Sequence, residues 1–454
     1  MKKICLIVLI TLLPSIALAR KHLIFLDGEL GWYYSMPPYL AAHHAEVEQL
    51  PFSGFVVVGN VYTSYVMSAD PNSNNVTYQR VWEEVKSLQN MFTKKTENFL
   101  RINIDFPGDF WDDAIWQKTT NNFAAVAKAA KNLGFKGILF DDEPYTSAQH
   151  RHSLYMSNFK FPKRDAVQSQ CSEDLNDPCN AYALWERKES KENRGDWVDY
   201  KCTIEGEELT DSEECSYRNT DHSFKEHMDK VASRFKEIME AMEAEFPAIT
   251  VLVLHGPATA HAKTNIDGHY IKPNSIFETN EYKGAMFLGL KQGLNGDARL
   301  HDMGEFYQYT TIQQFQNAYQ WRKHDIVSDQ YNQDLDDTYR WVVPTNDRPT
   351  WSRDVNIGFM VSDYGRRHDM PEYNTQNLCR PTDVQSRLTK ALQTADEYVI
   401  FYSDSSLSTC EDNLGWADVE TPVPAPWLSM MQNVYNSLQF PWTMFYPAIT
   451  RKMQ

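Results

Sequence analysis

The sequence predicts a (β/α)₈ barrel, and three observations carry that expectation. Eight short apolar runs recur along 454 residues. Stretches of helical periodicity separate several of them, which is the pattern of βαβ units and a parallel sheet. Nearly every apolar run ends in polar or acidic residues, and the C-terminal strand ends of such barrels carry the chemistry. An open doubly wound sheet is the alternative. It usually carries a Gly-rich phosphate loop, and none is present.

The first run, residues 22–26, leads to Asp27-Gly28-Glu29. Residues 54–58 lead to Gly59-Asn60. Residues 99–104 lead to Asp105 and the loop Gly108-Asp109-Phe110-Trp111. Residues 137–140 lead to Asp141-Asp142-Glu143-Pro144-Tyr145. Residues 250–254 lead to His255-Gly256, and 300–303 to Gly304-Glu305. Residues 356–361 lead to Ser362-Asp363, and 398–402 to Ser403-Asp404. Helical periodicity is expected over 79–94, 121–133, 223–245, 311–323 and 382–395. Gly134 stands where a helix C-cap glycine belongs. Past Ser406 the spacing of Pro422, Pro424 and Pro426 predicts an irregular extension.

Residues 1–19 have the plan of an export signal. Lys2 and Lys3 precede an apolar run, and Ala17-Leu18-Ala19 is an A-x-A cleavage site. The run is too short for a membrane span. The expectation is a secreted or periplasmic bacterial protein of residues 20–454, with no membrane insertion. Removing Lys2 and Lys3 takes the net charge from −17 to −19. So acidic a chain is a poor partner for nucleic acid. Its 12 Trp and 24 Tyr suit both core packing and stacking on sugars. Oligomeric state is not legible.

Residues 146–222 break the alternation. They read as an insertion after the fourth strand, and they hold four cysteines. Beyond the signal the cysteines are Cys171, Cys179, Cys202, Cys215, Cys379 and Cys410. An even number in an exported chain predicts disulfides, and proximity favours 171–179, 202–215 and 379–410.

A barrel brings all its strand ends to one rim. Side chains alternate along a strand, so Asp141 and Glu143 share a face and Asp142 takes the other. Glycosidic bond hydrolysis uses paired carboxylates, one to protonate the leaving oxygen and one to attack or stabilise the sugar cation. Glu143 is the expected general acid, with Asp141 raising and orienting it. Glu305 is the first choice of second carboxylate. It lies in His301-Asp-Met-Gly-Glu-Phe-Tyr-Gln-Tyr309, where Gly304 allows close backbone approach and Tyr307 and Tyr309 offer rings to a sugar. Asp363, in Phe359-Met-Val-Ser-Asp-Tyr364, is the alternative. Asp27, Asp105, Trp111, Tyr145, Tyr307 and Asp404 are the expected substrate contacts.

Two other functions are weighed. A metal-dependent hydrolase would use His255, His261 and His269 with Asp141 and Asp142, but their spacing matches no H-E-x-x-H helix site. A non-catalytic barrel would use the same acids to accept hydrogen bonds from an oligo- or polysaccharide. No G-x-S-x-G elbow, C-x-x-C pair or cofactor loop is present, so no cofactor is expected.

Gly137-Ile-Leu-Phe-Asp-Asp-Glu143 resembles the fourth-strand signature D-G-x-D-x-D-x-E of chitinase-like glycoside hydrolases. The match covers Gly137, Asp141 and Glu143, whereas Lys136 and Leu139 replace that family's acids. Residues 50–58, Gly304-Glu305 with Tyr307 and Tyr309, and residues 391–403 resemble bacterial barrel proteins similar to glycoside hydrolases. The resemblance implies a barrel and a carbohydrate substrate.

Overall fold

The computed structural model describes residues 21–27, 35–67, 76–104, 110–142, 224–257, 281–307, 309–329, 343–362, 381–403 and 425–439, and the backbone of 203–204 and 207–208. Eight of the strand segments follow the expected runs. They are β1 (His22–Asp27), β2 (Gly54–Val57), β3 (Phe99–Asn103), β4 (Gly137–Asp141), β5 (Thr250–Val253), β6 (Arg299–Asp302), β8 (Phe359–Ser362) and β9 (Tyr398–Ser403). The ninth, β7 (Val355–Ile357), precedes β8 across the single residue Gly358.

Every pairing in this sheet is parallel. The order runs β8-β9-β1-β2-β3-β4-β5-β6-β7. Because β7 and β8 are one interrupted strand, the two ends of that list meet and the sheet closes. At the seam the Gly358 N–H donates to the Asp302 carbonyl at 2.8 Å, and the Met360 N–H to the Gly304 carbonyl at 2.9 Å. Eight physical strands with helices in the crossovers make a (β/α)₈ barrel.

Alternation along the strands builds two cores. Inside the barrel lie Ile24, Val56, Phe99, Leu139, Leu252 and Ile400. Their neighbours Leu23, Phe55, Leu100, Ile138, Val251 and Val399 face outward, among the helices. Those helices are α1 (Pro37–Ala42), α2 (Tyr78–Val85), α3 (Asp113–Leu133), α4 (Phe224–Glu245), α5 (Glu281–Gln292), α6 (Ile312–Lys323), α7 (Arg348–Asp354), α8 (Pro381–Thr394) and α9 (Ala425–Gln439).

Local chemistry explains the helix ends. The Asp112 carboxylate accepts the Ala114 and Ile115 N–H groups at 3.0 and 3.1 Å, so α3 starts at Asp113, earlier than its apolar period suggests. It stops at Gly134, whose φ of 75° is left-handed. Thr311 and Gln314 form a capping box on α6.

Two expectations change, and one helix appears where none was expected. The helix expected over 79–94 ends as α2 at Val85, followed by one 3₁₀ turn, Lys86–Leu88. Asn90 then turns the chain with φ 58°, and Glu48 accepts the Lys94 N–H, which holds the segment out of the helix. Residues 425–439 form the helix α9, packed on α8, rather than an irregular extension. Pro426 is tolerated because the first helical turn leaves its N–H groups unpaired anyway. The buried helix α5 lacks an amphipathic period because it is apolar on most sides, lying along α4.

Residues 1–19, the six cysteines and the insertion 146–222 lie outside the described residues. The exception is a short antiparallel backbone pair, Thr203–Ile204 with Glu207–Glu208. No described helix is long and apolar enough to cross a membrane.

Candidate active site

The C-terminal mouth of the barrel gathers charged side chains from β3, β4, β5 and the β6–α6 loop. Asp141 follows the inward residue Leu139 by two, so it faces the barrel interior. Arg101 on β3 follows inward Phe99 in the same way. Register places Arg101 beside Leu139 and Asn103 beside Asp141. The Arg101 guanidinium donates to the Asp141 carboxylate, with the two side chains only 4% and 1% exposed. Its Nε donates to Asn103 Oδ1 at 2.8 Å. The expected like-charge pressure of Asp141 on Glu143 is therefore answered by an arginine already in place.

Asp142 takes the opposite face, as alternation requires. It is fully buried where β4 meets β5, and its Oδ1 accepts the His255 N–H at 2.8 Å. Burial pushes its carboxyl up to about 6, against the opposing pull of Lys283, of the His255 ring and of that hydrogen bond.

His255 in turn aims its ring at Glu305. Nε2 lies 3.7 Å from Glu305 Oε2. The Tyr307 hydroxyl donates to Glu305 Oε1 at 2.7 Å. One oxygen thus accepts a phenol and the other faces an imidazole. The carboxylate keeps 20% exposure to the mouth.

The backbone explains that placement. Gly304, at φ 55°, turns the chain after β6, and a Cβ there would sit 2.2 Å from the Phe306 ring. The chain then re-joins the sheet: Glu305 bridges to Met360, whose carbonyl accepts the Phe306 N–H at 3.2 Å. Below the turn the Arg322 guanidinium lies between the Phe306 and Phe359 rings, 4.6 and 4.7 Å from their centroids.

Aromatic rings complete one side of the mouth. Tyr307 stacks on Tyr402 with centroids 5.8 Å apart and planes 15° apart, both against the inner core. Arg387 fixes this wall by donating to the carbonyls of Tyr307 and Ser362 at 2.6 and 2.8 Å.

The expected residues divide accordingly. Glu305 and Tyr307 meet at the mouth, and Asp141 faces the interior from the end of β4, paired with Arg101. Asp27 ends β1, in register with Ser403. Trp111 packs against the outer core, toward the helices. Tyr309 also packs outward, against Phe306 and Phe315 at 4.8 and 5.3 Å, and so is no partner of Tyr307 in a sugar wall. Glu143, Asp363, Asp105, Tyr145 and Asp404 lie outside the described residues, as do His261 and His269. Among the described residues no three His, Cys, Asp or Glu side chains converge as metal donors. Arg101 and Tyr402 carried no motif. Only their strand parity, shared with Phe99 and Ile400, marks them as inward.

No family model matches the chain, and neither does any curated protein. Solved structures of low similarity do. An exo-β-agarase matches at 11% identity and a TM-score of 0.36, over 89% of this chain and 47% of the agarase. The chain thus spans about half the length of that enzyme. A sugar phosphate isomerase/epimerase from Parabacteroides distasonis matches at 8% identity and a TM-score of 0.31, over 91% of this chain and 96% of its own. A GH138 enzyme targeting pectin rhamnogalacturonan II matches at 9% and 0.31, over 93% of this chain and 39% of its own. The barrel assignment rests on the strand register above.

Proposed function

We propose that this barrel hydrolyses a glycosidic bond in an oligo- or polysaccharide at its C-terminal mouth. One observation carries the reading. Glu305 is presented at the mouth as an acceptor, with the Tyr307 hydroxyl on one oxygen and His255 facing the other. A carboxylate so held suits the ionised role, attacking the sugar or activating water. Glu143, the residue after Asp142, is the proton donor in this reading, and Asp363 is the alternative to Glu305. The stacked Tyr307–Tyr402 pair supplies an apolar wall for a sugar face. The signal-like residues 1–19 support a substrate met outside the cytoplasm.

The test is a glycan hydrolysis screen on the purified protein beside Glu143→Gln and Glu305→Gln. General acid help is worth roughly 10²–10⁴ in rate. Glu143→Gln should lose that much on sugars with poor leaving groups, and much less on sugars with acidic ones. Equal activity of wild type and Glu143→Gln on a natural glycan would remove Glu143 from the role.

The Arg101–Asp141 pair favours a second reading, because a neutralised Asp141 no longer helps to keep a proton on Glu143. In that reading the mouth binds glycans without cleaving them. Glycan binding with no release of product from any substrate in the screen would support it.

A further inference from the structure

Two contacts in series connect the end of β4 to Glu305. Asp142 Oδ1 accepts the backbone N–H of His255 at 2.8 Å, and the ring of the same His255 stands 3.7 Å from Glu305. Asp142 has no route to the mouth of its own, because it is fully buried on the outer face of β4. Its second oxygen, Oδ2, is also buried and accepts no hydrogen bond among the described residues. A buried carboxylate left half-satisfied is costly, and packing alone would favour an apolar residue there. Among the described residues its one hydrogen bond is the one that seats His255.

We propose that Asp142 is a positioning residue that holds the His255 imidazole against Glu305, so that His255 and Glu305 share their protonation equilibrium. The inference rests on the reading of Glu305 as a working carboxylate, and it adds His255 and Asp142 to that site. The charged groups acting on Asp142 are His255 at the end of β5, Lys283 on α5 and the neighbouring Asp141. The His255 ring itself faces Glu305, from the β6–α6 loop, and interacts with Asp142. An anionic Glu305 favours the imidazolium of His255, and an imidazolium favours the carboxylate of Glu305.

The test needs no substrate. His255 is titrated by NMR of its ring in the full chain, with and without Glu305→Gln, in three backgrounds. In the wild type, Glu305→Gln should lower the His255 midpoint, because the carboxylate that favours the imidazolium is gone. Asp142→Asn keeps an acceptor oxygen for the His255 N–H, so the response to Glu305→Gln should persist. Asp142→Ala removes the acceptor, so the response should disappear. Should Asp142→Ala not fold, Asp142→Ser serves in its place, since its hydroxyl falls short of His255. No response in the wild type, or an equal response with and without the Asp142 acceptor, overturns the proposal. A variant that only loses melting temperature while the coupling persists shows a structural role, and also overturns it. Absence of glycan hydrolysis would refute the hydrolytic reading of the mouth and leave this titration untouched.

Discussion

Asp142 accepts the N–H of His255 at 2.8 Å and so fastens the end of β4 to the end of β5. Its neighbour Asp141 is fastened the other way, to Arg101 on β3. Two consecutive acids therefore lock β4 to both flanking strands at the mouth. Alternation makes this possible, since one side chain enters the barrel and the next leaves it.

The Arg101–Asp141 pair should be strongly coupled. Either Arg101→Met or Asp141→Leu alone breaks a buried ion pair, at a cost of roughly 3–5 kcal/mol. The double variant Arg101→Met/Asp141→Leu leaves no unpaired charge and should cost far less than the sum. Urea denaturation of the three proteins measures this. Additive losses would show that the two side chains act independently.

Arg322 should resist even conservative replacement. It donates to the Asp302 carbonyl and Oδ1 at 3.0 and 3.1 Å and to the Gly358 carbonyl at 2.8 Å, with Phe306 and Phe359 on its two faces. An ammonium is no planar fork and loses the stacking. Arg322→Lys should cost at least about 1.5 kcal/mol, the lower value for one lost charged hydrogen bond. A melting temperature equal to wild type would contradict this account of the seam.

Gly304→Ala should disturb the presentation of Glu305. The residue needs φ 55°, and the added methyl meets the Phe306 ring and, at 2.9 Å, Arg322 Nη1. Left-handed backbone costs a non-glycine residue roughly 1–2 kcal/mol before any clash. Thermal melting reads the loss. A crystal structure of the variant should show the Glu305–Tyr307 hydrogen bond displaced; an unmoved turn at full stability would refute the prediction.

Two buried groups should tilt stability in opposite directions with pH. His301 lies inside the barrel against Tyr398, and burial pulls its imidazole down from 6.5 to about 3. Only the unfolded chain then takes up that proton, so stability falls as pH drops below about 6.5 and goes on falling toward about 3. Asp142 is raised from 3.8 to about 6. Here the folded state keeps its proton longer, so stability is highest below about 4 and declines as pH rises through about 6. Each group contributes at most about 1.4 kcal/mol per pH unit. The His301 shift is the larger, so the two together favour neutral pH. His301→Gln should flatten the acid loss seen in urea midpoints between pH 4 and 6, and Asp142→Asn should steepen it. The same slope in all three proteins would dismiss both assignments.

Strand positions and their parallel run are legible in the local pattern of the chain. Eight apolar runs, most of them ending in polar or acidic residues, mark the barrel strands, and the period of two puts Asp141 and Asp142 on opposite faces. Both follow from local stereochemistry, which any short stretch of chain carries. Capping was legible for the same reason at Gly134, where a left-handed glycine ends α3. The prolines at the start of α9 misled, and α5 carried no helical period, because burial against other helices overrides local pattern. The partners of these side chains emerge only on folding. Nothing near Asp141 announces Arg101, and nothing near His255 announces Glu305. Which inward residues meet is set by strand register and by closure of the barrel at Gly358. Those are relations between segments distant in the chain, and they come into being only when the sheet closes.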